Sequence, residues 1–316
     1  DRETVPEIKF KAPKSFAAQN RCVTAKDYEV IIRQIYPAIE DMYVYGGEEL
    51  TIPEYGRVYV VIKPKSSDYL TNAAKKQIKD ELNNFRVASL DIILQDPEVL
   101  YIEAESIAYY DEQKTQKNST GIISDIKSYL TKFVDESIDS RFGGTIKYSR
   151  IVGAIDDSDN SITRNVTNLR MRRNVLIPTD TSASYEVCFE NPILNIGNDS
   201  SVYSTGFMFP GSNEIYYFED NPEERGLIRL FHFSEKNEKV IDNKNFGTVD
   251  YEQGEVFLGQ NAPFTIASTI VPGSIVEVRA YPKSVGYDIT ANKTIYLKFD
   301  VSKSDIGAVV ESGAGA

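Results

Sequence analysis

The chain has 316 residues, 41% of them hydrophobic, with 35 basic against 47 acidic side chains, one histidine and two cysteines. That is enough apolar material for two or three domains with cores of their own. A net charge of −12 repels nucleic-acid phosphates and anionic lipid, so neither nucleic acid nor a membrane is expected as a partner.

Residues 1–21 are polar and read as a leading linker. The first residue is Asp1 rather than Met, and a fragment of a longer or processed chain is expected. No signal peptide opens it, and no apolar run approaches the ~20 residues of a membrane span. Thr24 is the expected N-cap of a first helix, with Asp27 at the third position to meet the free amides. Tyr28, Ile31, Ile32, Ile35 and Tyr36 form its apolar stripe, and Pro37 ends it. Strands follow over 40–45 and 57–63, where Val58, Val60 and Ile62 share one face and Tyr59 and Val61 the other. The Gly46–Gly56 connection between them reads as a surface loop. A second helix starts at Thr71 with the stripe Ala74, Ile78, Leu82 and Phe85. Strands near 89–94 and 99–110 are separated by Asp96-Pro97.

Residues 111–118 read as a polar connector. A long helix over about 119–140 carries Ile122, Ile123, Ile126, Tyr129, Leu130, Phe133, Val134 and Ile138, and Gly143-Gly144 stops it. Ser149 is the candidate cap of a short further piece with Ile151, Val152 and Ile155. After the acidic loop 156–160 comes a strand near 165–177. Beyond 179 helical periodicity vanishes, and 16 of the chain's 35 aromatic residues lie between 201 and 300. Short alternating runs at 185–189, 214–219, 227–234, 246–251, 255–258, 275–281 and 294–299 predict strands. Gln253-Gly254 is expected to turn between two of them.

The fold class is therefore α+β. An N-terminal α/β sandwich-like module, a mixed or antiparallel sheet with helices on one face, precedes a β-rich sandwich or barrel-like domain. The expected domains are a linker at 1–21, an α+β region at 22–178 with a sub-boundary near 111–118, a β-rich interaction domain at 179–302 and a flexible tail at 303–316.

Nothing in the pattern assembles catalysis or a cofactor site. His232, the sole histidine, reads as a strand residue without a partner nucleophile. Cys22 lies beside a helix N-terminus, which can activate a thiol, yet no base accompanies it and a packed thiol is expected. Two thiols and one histidine cannot furnish a four-ligand structural zinc site, so Cys22 and Cys188 are expected to be reduced. The loop Asp156-Asp157-Ser158-Asp159-Asn160-Ser161 lacks the glycine and twelfth-position glutamate of a calcium loop and reads as a solvated turn. Glu219, Asp220, Glu223 and Glu224 read as an acidic surface loop, which leaves a glycan hydrolase as a remote reading. Arg170, Arg172 and Arg173 either dock an acidic partner or pair with the chain's own acidic loops. No glycine-rich nucleotide cradle occurs. The four sequons at Asn118, Asn165, Asn198 and Asn292 read as chance.

An ordered motif set runs from Ala12-Pro13 through Asn20-Arg21, Thr24-Ala25, Asp27-Tyr28, Tyr36-Pro37, Gly46-Gly47 and Pro64-Lys65 to Gly143-Gly144-Thr145-Ile146 and Ser149-Arg150-Ile151. It resembles the baseplate-J-like wedge proteins of contractile-tailed phages, most of all the large wedge subunit of the T-even type, over about residues 12–175. The resemblance implies a non-enzymatic structural subunit of the virion tail baseplate, assembled in the host cytoplasm. It implies two copies per wedge, a closed inner ring, and a hinge role as the baseplate rearranges and the sheath contracts. It also implies contacts with other wedge subunits, including the lysozyme-fold subunit from which the sheath starts. The β-rich region after 179 lies outside the generic pattern and is the expected self-association surface, helped by the helix at 119–140. The alternative is a carbohydrate-binding or adhesin-like module presenting Tyr203 and Tyr216-Tyr217-Phe218.

Overall fold

A computed structural model describes residues 9, 12, 13, 16, 21–50, 52–87, 89–137, 140–195 and 199–311. Most of the expected linker 1–21, and Ile138, Asn198 and the last five tail residues, lie outside the described residues. Among the described residues, the α-helices with assigned ranges are α1 (Ala25–Ile35), α2 (Asn72–Leu82), α3 (Ser119–Ser137) and α4 (Tyr148–Asp156). The strands are β1 (Ile39–Gly46), β2 (Arg57–Pro64), β3 (Asp91–Gln95), β4 (Glu98–Tyr110), β5 (Thr145–Ile146), β6 (Ile162–Leu176), β7 (Tyr185–Cys188), β8 (Val202–Ser204) and β9 (Phe207–Met208). They continue with β10 (Tyr216–Asp220), β11 (Leu227–Phe233), β12 (Lys239–Asp250), β13 (Glu255–Leu258), β14 (Ser268–Thr269), β15 (Ile275–Ala280), β16 (Ile289–Thr290), β17 (Ile295–Phe299) and β18 (Asp305–Val310).

The chain divides into two units: residues 1–98 with 141–143 and 293–296, and the remainder. In the first, α1 begins as its sequence dictates. The Asp27 amide donates to Thr24 Oγ1, and Asp27 Oδ2 accepts the Thr24 amide at 2.8 Å, closing a reciprocal cap. β1 pairs antiparallel with β2, and β2 parallel with β3. Tyr28, Ile31 and Ile32 of α1 and Ile78 and Leu82 of α2 pack on Val58, Val60, Ile62 and Ile92. The opposite sheet face carries Tyr45, Tyr59 and Val61, with Tyr45 and Tyr59 stacked at 5.2 Å. The sheet is mixed with helices on one face, but β4 does not join it: Asp96-Pro97 ends the ladder and β4 enters the other unit's sheet.

The second unit is built on one 13-stranded sheet in the order β17-β4-β6-β15-β8-β10-β11-β12-β13-β7, with β9, β14 and β18 attached. It crosses the expected 178/179 boundary without a break, because β6 pairs on one side with β4 and on the other with β15. Phe207, Phe218, Phe246 and Phe264 form its aromatic core, with the Phe246 and Phe264 rings 4.8 Å apart. The β12–β13 hairpin turns through residues 251–254, with Gly254 at φ +73° where a Cβ would meet the Asn191 carbonyl. On α3, Ile122, Ile126 and Leu130 are fully buried, whereas Tyr129 faces solvent.

Two local expectations are corrected. Ser149 does not cap α4: the Tyr148 amide donates to Asp288 Oδ1 at 2.9 Å, so a distant carboxylate replaces the local hydroxyl at the positive helix end. The tail is not loose over 305–310, where β18 runs parallel to β4, Asp305 opposite Glu105 through Val310 opposite Tyr110. The terminal Gly and Ala residues obscured the strand-forming Ile306, Val309 and Val310.

Candidate functional site

Among the described residues, the densest array of ion pairs lies on one face of the large sheet. Register places Tyr101, Arg172, Arg279, Tyr203, Glu219 and Arg229 side by side on β4, β6, β15, β8, β10 and β11. Each is directly opposite the next, and alternation carries Glu103, Arg170 and Glu277 onto the same face. Arg172 facing Arg279 would repel. Two carboxylates bridge them. Glu103, with no solvent exposure, accepts from Arg170 Nε at 2.7 Å, from Arg279 Nε at 3.1 Å and from Arg172 Nε. Glu277 accepts from Arg279 at 2.8 Å, from Lys303 Nζ at 2.6 Å and from Arg172 at 3.4 Å.

The loop between β17 and β18, with Asp305 at the start of β18, completes the array. Asp300 pairs with Arg172, Asp305 accepts from Arg170 at 2.7 Å, and the Lys303 carbonyl accepts a further Arg170 N–H at 3.2 Å. Arg172 also lies 4.1 Å from the Tyr101 ring centroid. Four carboxylates thus meet four cations, and the array is neutral. Burial opposes the charge on Arg170, but Tyr203 and Glu103 beside it hold its guanidinium above the ordinary arginine pKa. Burial also pushes Glu277 upward, and the hydrogen bond from Lys303 with the charges of Arg172 and Arg279 outweighs it, leaving the carboxyl below its ordinary value. Such an array fixes strand register and loop position. Every acid in it is engaged by a cation, which leaves no free base or nucleophile in the array.

Arg170 and Arg172 therefore pair within the chain, with strand and loop carboxylates rather than the acidic loops expected. Glu103 alternates with Leu100, Ile102 and Ala104 along β4, a local pattern that does not distinguish a buried acid from a solvated one. The opposed alternation of acids on β4 and arginines on β6 was the available signal. The cluster at 219–224 splits. Glu219 is a buried strand residue held by Arg229 at 2.6 Å and Lys239 at 2.8 Å, while Glu223 and Glu224 are exposed. Asp220 is buried and accepts from the Ser201 and Val202 amides and the Tyr251 hydroxyl at 2.7, 2.9 and 2.8 Å.

His232 Nδ1 pairs with Asp242 Oδ2 at 2.6 Å across β11 and β12. Cys22 is fully buried, and burial with the nearby Asp27 charge pushes its thiol up to about 12, so it is a packed and unreactive group. Asp159 holds its own turn: it accepts from the Ser161 amide and hydroxyl and from Lys117, and these bonds take it down to about 2. Of the aromatics expected in a sugar platform, Phe218 is buried in the core, while half-buried Tyr217 stacks on Phe231 at 5.6 Å and half-buried Tyr203 sits 6.1 Å from Tyr281. Asn118 caps α3 by accepting the Gly121 amide at 2.9 Å. Among the described residues no helix is long and apolar enough to cross a membrane.

Residues 24–94 match the family model of baseplate structural protein gp6, C-terminal domain I, and residues 98–174 that of C-terminal domain III. The first match ends at residue 94 and the second starts at 98, close to the division between the two units after Glu98. Baseplate wedge protein gp6 of Enterobacteria phage T4 is 24% identical over 269 residues, covering 84% of this chain and 39% of that protein. The chain thus spans 39% of the length of the curated relative it matches. A chain from the cryo-EM structure of the anti-feeding prophage (AFP) baseplate, 6-fold symmetrised, is similar over 53% of this chain and 38% of its own, at 14% identity and a TM-score of 0.38. Models of two C-terminal gp6 domains, I and III, thus match adjacent stretches of this chain, which is identified as the C-terminal portion of a baseplate wedge protein.

Proposed function

We propose that this chain is a non-catalytic structural subunit of a contractile-tail baseplate wedge, that it self-associates into the inner ring, and that it acts as a hinge when the baseplate rearranges. The match of adjacent stretches to two domains of a baseplate structural protein carries this reading. The neutral charge array supports it: ion pairs shared by β4, β6, β15 and the 300–305 loop resist displacement of one strand past another, as a load-bearing part requires. Its partners are a second copy of itself and other wedge subunits, including the lysozyme-fold subunit from which the sheath starts. Ring closure requires two distinct interfaces per subunit, or alternating self-contacts.

Two measurements test this reading. Antibody raised against residues 201–300 decorates the baseplate end of intact tails, and labelling elsewhere on the particle contradicts the assignment. Light scattering of the purified chain shows dimers or larger species, and a strict monomer at high concentration contradicts self-association.

A further inference from the structure

The Gly46–Gly56 loop is pinned at its base and apolar at its tip. The Glu54 amide donates to the Gly47 carbonyl at 2.9 Å, and the Asp91 amide to the Gly56 carbonyl at 2.8 Å. The Glu54 carboxylate accepts from both the Tyr59 hydroxyl and the Arg57 guanidinium. Leu50 turns back onto the Tyr45, Tyr59 and Val61 cluster. A Cβ at Gly47 would fall 2.0 Å from the Glu54 carbonyl oxygen, so only glycine permits this close return.

Beyond that base, Ile52 is 81% and Tyr55 82% exposed, and only Phe16 among the large apolar side chains described is more so. Single exposed apolar residues are ordinary. These two stand three positions apart on one anchored loop, with Pro53 fixing the backbone between them. The ordering entropy of such a loop is spent at folding rather than at binding. Glu48 and Glu49, both exposed, put negative charge at its foot.

We propose that this loop is a docking knob: Ile52 and Tyr55 enter an apolar socket edged by Lys or Arg on a different polypeptide of the assembly. The inference rests on the structural-subunit reading. Charge selects the partner class, because a second copy brings another chain of net charge −12, whereas a basic rim complements Glu48 and Glu49.

The test uses intact tails in which Tyr55 is replaced by the photo-cross-linker p-benzoylphenylalanine. Irradiation joins position 55 to a different polypeptide, at a peptide where Lys or Arg adjoins apolar residues. A cross-link to a second copy, or only within the same chain, overturns the proposal. In unmodified tails, hydroxyl radicals oxidise Tyr55 about tenfold more slowly than in the free chain, the protection of a buried anchor; equal rates overturn it. The double variant Ile52→Ser/Tyr55→Ser keeps its melting temperature and competes for tail incorporation about tenfold less well than wild type. Equal incorporation overturns the knob, while absence of the wild-type chain from purified tails overturns the underlying reading instead.

Discussion

Around β2 the chain is held by shape; around β6 it is held by charge. In the first region Tyr28, Ile31 and Ile32 of α1 and Ile78 and Leu82 of α2 interlock with three alternate residues of one strand, and the sheet's other face is tyrosine and valine. In the second, Glu103 and Glu277 lie under three guanidinia that come from two neighbouring strands. An apolar core yields in proportion to the volume removed. A buried ionic array does not, since deleting one member strands the charges it neutralised.

The strongest way to break this contrast is Glu103→Ala. It leaves Arg170, Arg172 and Arg279 short of a shared acceptor, and the expected loss is about 3–5 kcal/mol, read from the guanidinium-chloride midpoint. Leu82→Ala, in the apolar region, is expected to lose about 2–5 kcal/mol by the same measurement, set by how far the cavity collapses. If Glu103→Ala proves milder than Leu82→Ala, charge does not organise the large sheet.

Acid sharpens the comparison with a smaller effect. The Glu277 carboxyl is held below its ordinary value of 4.5, so its stabilisation is complete above that pH and is lost as pH falls through the lower folded value. Asp220 runs the other way. Burial raises it from 3.8, so its contribution is complete below 3.8 and is lost as pH rises through the raised folded value. Glu277→Gln is therefore expected to flatten the fall in melting temperature below pH 4.5, and Asp220→Asn to steepen it. The smallest effect belongs to the α1 cap: Thr24→Ala removes the acceptor of the Asp27 amide and is expected to lower stability by about 1 kcal/mol in a denaturant titration.

What the sequence disclosed follows the same division. Thr24 with Asp27, the 3–4 spacing of Ile31, Ile32 and Ile35, and the alternation of Val58, Val60 and Ile62 are local signals, and the local structure obeys them. The motif order from Ala12 to Ile151 pointed to the family for the same reason, since caps and turns are written in adjacent residues. The charge array is not local. Glu103 meets Arg170 across 67 positions and Arg279 across 176, and each acid alone is indistinguishable from a solvent-facing strand residue. The α4 cap failed likewise, because Asp288 arrives from 140 positions away. The 305–310 strand was obscured by its glycine and alanine neighbours, although Ile306, Val309 and Val310 carried the signal.

Cryo-microscopy of the intact tail, with this chain traced into the map, tests the central claim most directly. The account expects continuous density for residues 24–174 within the baseplate, repeated around the tail axis and in contact with further copies and other wedge subunits. Density for this chain at the head, the tail tube or the fibres, or none in the particle, would contradict it.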